Sequence, residues 1–172
     1  MKWLFRYDLR RTNLHTNNIP STARSSFLTI KFISMNPSNH LFVYGTLRLG
    51  FSNHYAQLLQ KNATHKGRAT INGKLFDVGG YPGIIRSTIS HELITGDIFE
   101  FPFDSNLMAV LDEYEMCSST YPEPQEYKRE IIKITTNNAS IIRCWVYIYN
   151  WEISHHTQIQ SGDYKKHLQM QS

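Results

Sequence analysis

From Leu41 to Tyr149 the chain enters short β-prone apolar runs and leaves each one at glycine, proline or asparagine, with no regular alternation of strand and helix. This pattern restricts the fold more than any other feature, because a doubly wound parallel sheet needs a helical crossover between successive strands. Leu41-Phe42-Val43-Tyr44 stops abruptly at Gly45 and reads as a buried strand running into a tight loop. Arg68 to Ile71 and Lys74 to Val78 flank Asn72-Gly73, the strongest two-residue hairpin signal. Ile84-Ile85 and Leu93 to Phe101 are further strands, separated from the preceding run by the loop Gly79-Gly80-Tyr81-Pro82-Gly83. Tyr127 to Thr135 and Ile141 to Tyr149 read as a second hairpin around Asn137-Asn138. Asn53 caps a helix carrying Tyr55, Leu58 and Leu59; Asp104 or Ser105 caps another from about Asn106 to Glu115; the polar tail ends in a weak helical pattern. The expected fold is α+β: a mixed, barrel-like sheet of about six strands with two or three short flanking helices.

Net charge bears on partners. The 172 residues carry a formal +4, which by itself suggests an acidic polymer. Six of the basic residues and one acid, Asp8, precede Met35, so residues 1–34 hold +5 and the remainder −1. The leader is Arg-, Ser-, Thr- and Asn-rich and has no sustained period. It is read as a non-native or disordered extension ahead of a start at Met35, with an organelle-targeting segment as the alternative. Residues 35–172 are then one domain, near neutral, and nucleic acid is excluded as its partner. No run approaches the roughly 18 apolar residues of a membrane-spanning helix, so no membrane partner is expected. Cys117 and Cys144 make no disulfide framework and fit reduced thiols in a cytoplasmic protein. No Cys/His grouping has zinc-site spacing, so no metal is expected. Oligomeric state leaves no signal.

One residue breaks the helical pattern at 106–115. On a wheel turning about 100° per residue, Leu107, Met108, Leu111 and Tyr114 define the apolar arc. Asp112 and Glu113 fall outside it, whereas Glu115 falls inside, over Leu111 and Leu107 at i+4 steps. Burial raises a carboxyl pKa, and a helix C-terminus disfavours negative charge, so an inward Glu115 is suited to general acid/base work near neutrality. A helix ending one residue early would instead turn Glu115 to solvent. The loop Tyr44-Gly45-Thr46-Leu47 is the second candidate: a strand stopping at glycine exposes successive backbone amides, a nest for an anion such as a carboxylate. By spacing alone, an ordinary strand-to-helix connection is the commoner explanation. It is not a P-loop, since no Gly-Lys-Ser/Thr follows.

Together these features resemble the γ-glutamylcyclotransferase-like (AIG2-like) family. The matching residues are Val43-Tyr44-Gly45-Thr46-Leu47-Arg48-Leu49-Gly50, Asn53-His54, Gly80-Tyr81-Pro82-Gly83, Leu111-Asp112-Glu113-Tyr114-Glu115, Tyr127-Lys128-Arg129 and Ser161-Gly162-Asp163-Tyr164. They cover about Leu41 to Tyr164, and the stretch from Arg48 to His54 looks most like the γ-glutamylamine cyclotransferase branch. The resemblance implies a β-barrel core and flanking helices. It implies that the backbone of Tyr44, Gly45, Thr46 and Leu47 binds the α-carboxylate of a small γ-glutamyl substrate. It implies that Glu115 is the catalytic acid/base closing 5-oxoproline with release of an amine, without a cofactor. Tyr81, Tyr121 and Tyr127 are candidates to line the pocket, with ordinary aromatic packing the alternative. One position departs from the family pattern: Met116 stands where many members carry glycine after the acid, a change at the helix exit. The competing reading is a non-catalytic carboxylate-binding module on the same fold. An inward Glu115 favours the enzyme, because a binding module has no use for a costly buried carboxyl.

Overall fold

The computed structural model describes residues 38–171 apart from residue 137. The reading of residues 1–34 as a leader lies outside the described residues. In chain order the elements are β1 (His40–Val43), α1 (His54–Asn62), β2 (Thr64–Asp77), β3 (Pro82–Arg86), β4 (Leu93–Glu100), α2 (Leu107–Tyr114), β5 (Tyr127–Thr135), β6 (Ile141–Tyr149), β7 (Thr157–Gln158) and α3 (Tyr164–Gln171). The sheet runs β3-β2-β4-β1-β6-β5, with β7 paired to β2. All pairings are antiparallel except β1 with β6, which makes the sheet mixed. An isolated bridge between Ala69 and Thr136 brings the far end of the β5–β6 hairpin back onto β2. The sheet therefore curls into a half-barrel, as expected from the sequence.

β1 is central, and both of its faces are buried, which is why it reads as a continuous apolar run rather than an alternating one. Phe42 packs with Ile71, Ile94, Ile98, Ile134 and Val146 on one face. Leu41 and Val43 pack on the other with Leu59 of α1 and Leu107 and Leu111 of α2. The two helices are thus held by apolar burial over one face of the sheet.

The hairpin expected at Asn72-Gly73 does not form. β2 is a single 14-residue strand that pairs with β4 up to Asn72 and with β3 from Gly73 onward. A Cβ at Gly73 would lie 2.6 Å from Ile94 Cδ1 and 2.7 Å from the Ile85 carbonyl oxygen. Glycine serves close approach there, where β2 passes from one partner to the next, and not a turn. The real reversal is the 78–81 loop: Val78 N–H donates to the Tyr81 carbonyl at 2.9 Å, and Asp77 Oδ1 accepts from the amides of Gly79 and Gly80. The start of α2 also differs from expectation. Its N-cap is Asn106, with no side-chain cap bond, rather than Asp104 or Ser105. The Asn53 cap forms as expected, accepting from Ala56 N–H at 2.9 Å.

Candidate active site

Five segments distant in sequence meet at a cavity of about 320 Å³. Tyr44, Gly45, Thr46 and Leu47 enter from the end of β1. Tyr81 and Pro82 come from the start of β3, and Tyr114, Glu115 and Met116 from the end of α2. Glu126, Tyr127 and Tyr147 come from β5 and β6 or the residue just before β5. Glu115 and the 44–47 loop, singled out separately in the sequence, line one cavity.

The loop is a tight turn closed by Arg48 N–H donating to the Gly45 carbonyl at 3.1 Å. That bond engages neither the Thr46 nor the Leu47 amide, which are the inner residues of the turn. A Cβ on Gly45 would lie 2.4 Å from Pro82 Cγ, so only glycine lets the proline wall close against the turn. Asn53 serves twice: Oδ1 caps α1, and Nδ2 donates to the Thr46 carbonyl at 2.7 Å. Thr46 Oγ1 hydrogen-bonds the Tyr114 hydroxyl at 3.2 Å, and Tyr55 stacks on Tyr114 with ring centroids 4.1 Å apart. Beneath the turn the Arg48 side chain is 1% exposed; Nε donates to Asp97 of β4 at 3.0 Å, and Nη1 donates to Asp163 at 2.7 Å. One arginine thus ties the turn to β4 and to the residue preceding α3.

Glu115 is the C-cap of α2, not its last helical residue. The helix does end one residue early, yet Glu115 N–H still donates to the Leu111 carbonyl at 2.9 Å, which keeps the residue on its helical bearing and lining the cavity. Burial is the main influence raising its pKa, and the negative charges of Glu126 and Asp112 add to it; together they push the carboxyl up to about 8. Asp112, one turn earlier, fixes the helix in place. Arg129 Nη1 donates to both of its oxygens, at 2.9 and 2.7 Å, and Tyr147 hydroxyl donates to Oδ1 at 2.9 Å. The Arg129 guanidinium lies 4.5 Å from the centroid of Trp145. These contacts account for the Leu-Asp-x-x-Glu and Tyr-x-Arg pattern: the aspartate and arginine seat the helix that presents the glutamate.

The exit of α2 carries a full Schellman closure. Cys117 N–H donates to the Asp112 carbonyl at 2.9 Å, and Met116 N–H to that of Glu113 at 3.3 Å. Met116 sits between them at φ 52°, the left-handed region that glycine occupies most easily. The methionine therefore adopts the backbone a glycine would, and the helix exit is preserved at the cost of strain. Met116→Gly is expected to relieve it and stabilise the fold by about 1 kcal/mol, measured as a rise in Tm of a few degrees. An unchanged or lower Tm would count against strain at this position.

Tyr81 and Tyr127 line the cavity: Tyr81 hydroxyl donates to Glu126 Oε1 at 2.6 Å, and Tyr127 hydroxyl to the Pro82 carbonyl at 3.0 Å. Tyr121 does not. Its hydroxyl donates to the Glu113 carbonyl at 3.2 Å on the outer side of α2, because the loop after Cys117 folds back along that helix. Tyr114, Tyr147 and Glu126 were not picked out as site residues by sequence reasoning. Tyr114 lies on the apolar arc of its helix and Tyr147 within a β-prone run, and neither carries a local sign of the cavity. Glu126 lies in a proline-bearing stretch with no period to show that it is buried. Burial pushes the Cys117 thiol up to about 12, in keeping with a structural cysteine.

A family model described as "Gamma-glutamyl cyclotransferase, AIG2-like" matches residues 41–166. A Vibrio cholerae protein named "Putative gamma-glutamylcyclotransferase" is 34% identical over 128 residues, covering 72% of this chain and 93% of that one. The "Gamma-glutamylaminecyclotransferase" of Rattus norvegicus is 33% identical over 88 residues, covering 48% of this chain and 58% of the relative. Among solved structures, an AIG2-like protein from Mus musculus superposes with a TM-score of 0.54 at 26% identity, covering 67% of this chain and 80% of the mouse chain.

Proposed function

Because this chain belongs to the AIG2-like gamma-glutamyl cyclotransferase family, we propose that it cyclises the γ-glutamyl group of a γ-glutamylamine or γ-glutamyl amino acid to 5-oxoproline and releases the amine. The observation that carries the reading is Glu115, which is half-buried at the cavity wall and whose carboxyl has no hydrogen-bond partner among the described residues. A fold gains nothing from such a group, and a proton-transfer catalyst needs one.

The substrate α-carboxylate sits on the backbone of Tyr44, Gly45, Thr46 and Leu47, and among the described residues no lysine or arginine lines the cavity to bind it instead. Glu115 takes a proton from the α-amino group. The freed nitrogen attacks the γ-carbonyl carbon and closes the five-membered lactam. The bond from that carbon to the leaving nitrogen breaks, and Glu115 returns its proton to the departing amine. Both reactants lie in one molecule, so the protein contributes the folded-back conformer and the proton transfers, and no cofactor is required. Cys117 and Cys144 are free thiols, and no helix among the described residues is long and apolar enough to cross a membrane; the proposed compartment is the cytoplasm.

The test is to incubate the full chain with a panel of γ-glutamyl amines and amino acids and assay 5-oxoproline. Release from at least one member is the expected result. Ligand binding without release from any member would favour the carboxylate-binding module instead.

A further inference from the structure

Glu126 is the second carboxyl in the cavity, and cyclisation as proposed above gives it no task. It is 5% exposed. Its Oε1 accepts from the Tyr81 hydroxyl at 2.6 Å, and its Oε2 has no partner among the described residues. Among the described residues no lysine, arginine or histidine lines the cavity to neutralise it. A nearly buried carboxylate with one oxygen unfilled, facing a binding cavity, is arranged to meet a positive group that the protein does not itself supply.

Its position identifies which part of the substrate would bring that group. Tyr81 and Met116 are the most exposed of the lining residues, at 39% each, and stand at the rim of the cavity. With the α-carboxylate on the 45–48 turn and the γ-carbonyl carbon beside Glu115, what remains of the substrate leads outward. That remainder is the leaving amine. Tyr81 stands at the opening and holds Glu126 just inside it. The Tyr81 and Tyr127 rings beside Glu126 add faces on which a cation is tolerated.

We infer that Glu126, oriented by the Tyr81 hydroxyl, is a specificity-determining residue that selects a leaving amine bearing a second, positively charged nitrogen, so that the substrate class is the γ-glutamyl conjugate of a diamine. The inference rests on the cyclotransferase reading above. The distal ammonium donates to Glu126 Oε2. A leaving amino acid would place its own carboxylate against the same group and be repelled.

Three conjugates of matched length separate the cases: γ-glutamyl-1,4-diaminobutane, γ-glutamyl-butylamine and γ-glutamyl-4-aminobutyrate, whose distal groups are cationic, neutral and anionic. With the full chain, kcat/KM is expected to fall in that order, by about tenfold or more from first to last. In Glu126→Gln, which keeps an acceptor for Tyr81, the ratio of the cationic to the anionic substrate is expected to collapse to within about threefold. The ratio is read within each variant, so any general change in activity cancels. Equal kcat/KM for the three conjugates in the parent chain would overturn the inference alone, as would a cationic preference that survives Glu126→Gln. Release of 5-oxoproline from none of the three, with release from another member of the broader γ-glutamyl panel, would overturn the inference alone; release from no γ-glutamyl compound at all would overturn the cyclotransferase reading and this inference with it. Should Glu126→Gln fail to fold, calorimetric binding of the cationic and anionic conjugates to Glu115→Gln decides the matter: the cationic one must bind more tightly.

Discussion

Glu115→Gln is expected to lower 5-oxoproline release by about 10³-fold, within the range of a lost general acid/base. Glutamine keeps the size and much of the polarity of the side chain but cannot exchange the proton. KM should move far less than kcat, because in the proposed reading the α-carboxylate is held elsewhere, on the turn after β1. Activity that stays within tenfold of the parent would rule out the assigned role. The pH dependence follows from the same group. In the parent, kcat/KM should climb as pH approaches about 8, where the Glu115 carboxylate becomes populated.

Stability should run the opposite way. The folded-state pKa of Glu115 lies near 8, above the ordinary 4.5. Below the lower value the group is neutral in both states and costs nothing. As pH rises through the interval, the unfolded chain ionises and the folded one resists, so stability is lost progressively until about pH 8 and the loss is complete above it. At about 1.4 kcal/mol per tenfold change in proton affinity, the loss amounts to a few kcal/mol. Glu115→Gln removes it. The variant should therefore be more stable than the parent in urea at pH 8.5 and indistinguishable from it near pH 4. An inactive variant that is also stabilised at alkaline pH is the signature of a functional carboxyl; a merely structural glutamate would yield an inactive and weakened one.

The second large effect is at Arg48. Arg48→Met is expected to cost about 3–5 kcal/mol in urea denaturation, because Asp163 is left without its cation and the buried Asp97 keeps only His65, at 3.4 Å. Loss of the arginine alone is worse than loss of the whole ion cluster. Combining Arg48→Met with Asp97→Asn and Asp163→Asn should recover a large part of the deficit. A single variant within about 1 kcal/mol of the parent would show that the cluster contributes little.

Much of this architecture was legible in the sequence because it is written in local periods. The short β runs, the hairpin of β5 and β6, the Asn53 cap and the inward bearing of Glu115 each follow from residues a few positions apart. Asn72-Gly73 misleads because the same dipeptide answers two different demands, a reversal or a close approach, and only the neighbouring strands decide between them. Met116 shows the reverse case: its side chain gave no sign of a left-handed backbone, which the Schellman bonds around it impose. Glu126 and Tyr147 escaped notice because their importance lies in what faces them. Tyr81 is 45 positions from Glu126, and Asp112 is 35 positions from Tyr147. Arg48 stood in the matched stretch, but nothing near it in sequence announced two aspartates at 97 and 163.

β1 is only four residues long, yet it lies in the middle of the sheet with both faces covered. In hydrogen-exchange terms its amides should open only when the whole domain unfolds, not by local fraying. The 45–48 turn hangs from the end of that strand and is pinned from below by Arg48. The side of the cavity proposed to bind the α-carboxylate is thus a fixed reference point. Entry and release fall to the opposite wall, where Met116 and the loop running to Glu126 join α2 to β5 without a regular element between them. If the proposed reading holds, a molecule built this way would exchange its ligands by moving the wall around the leaving amine, while the α-carboxylate would always be met by the same backbone in the same place.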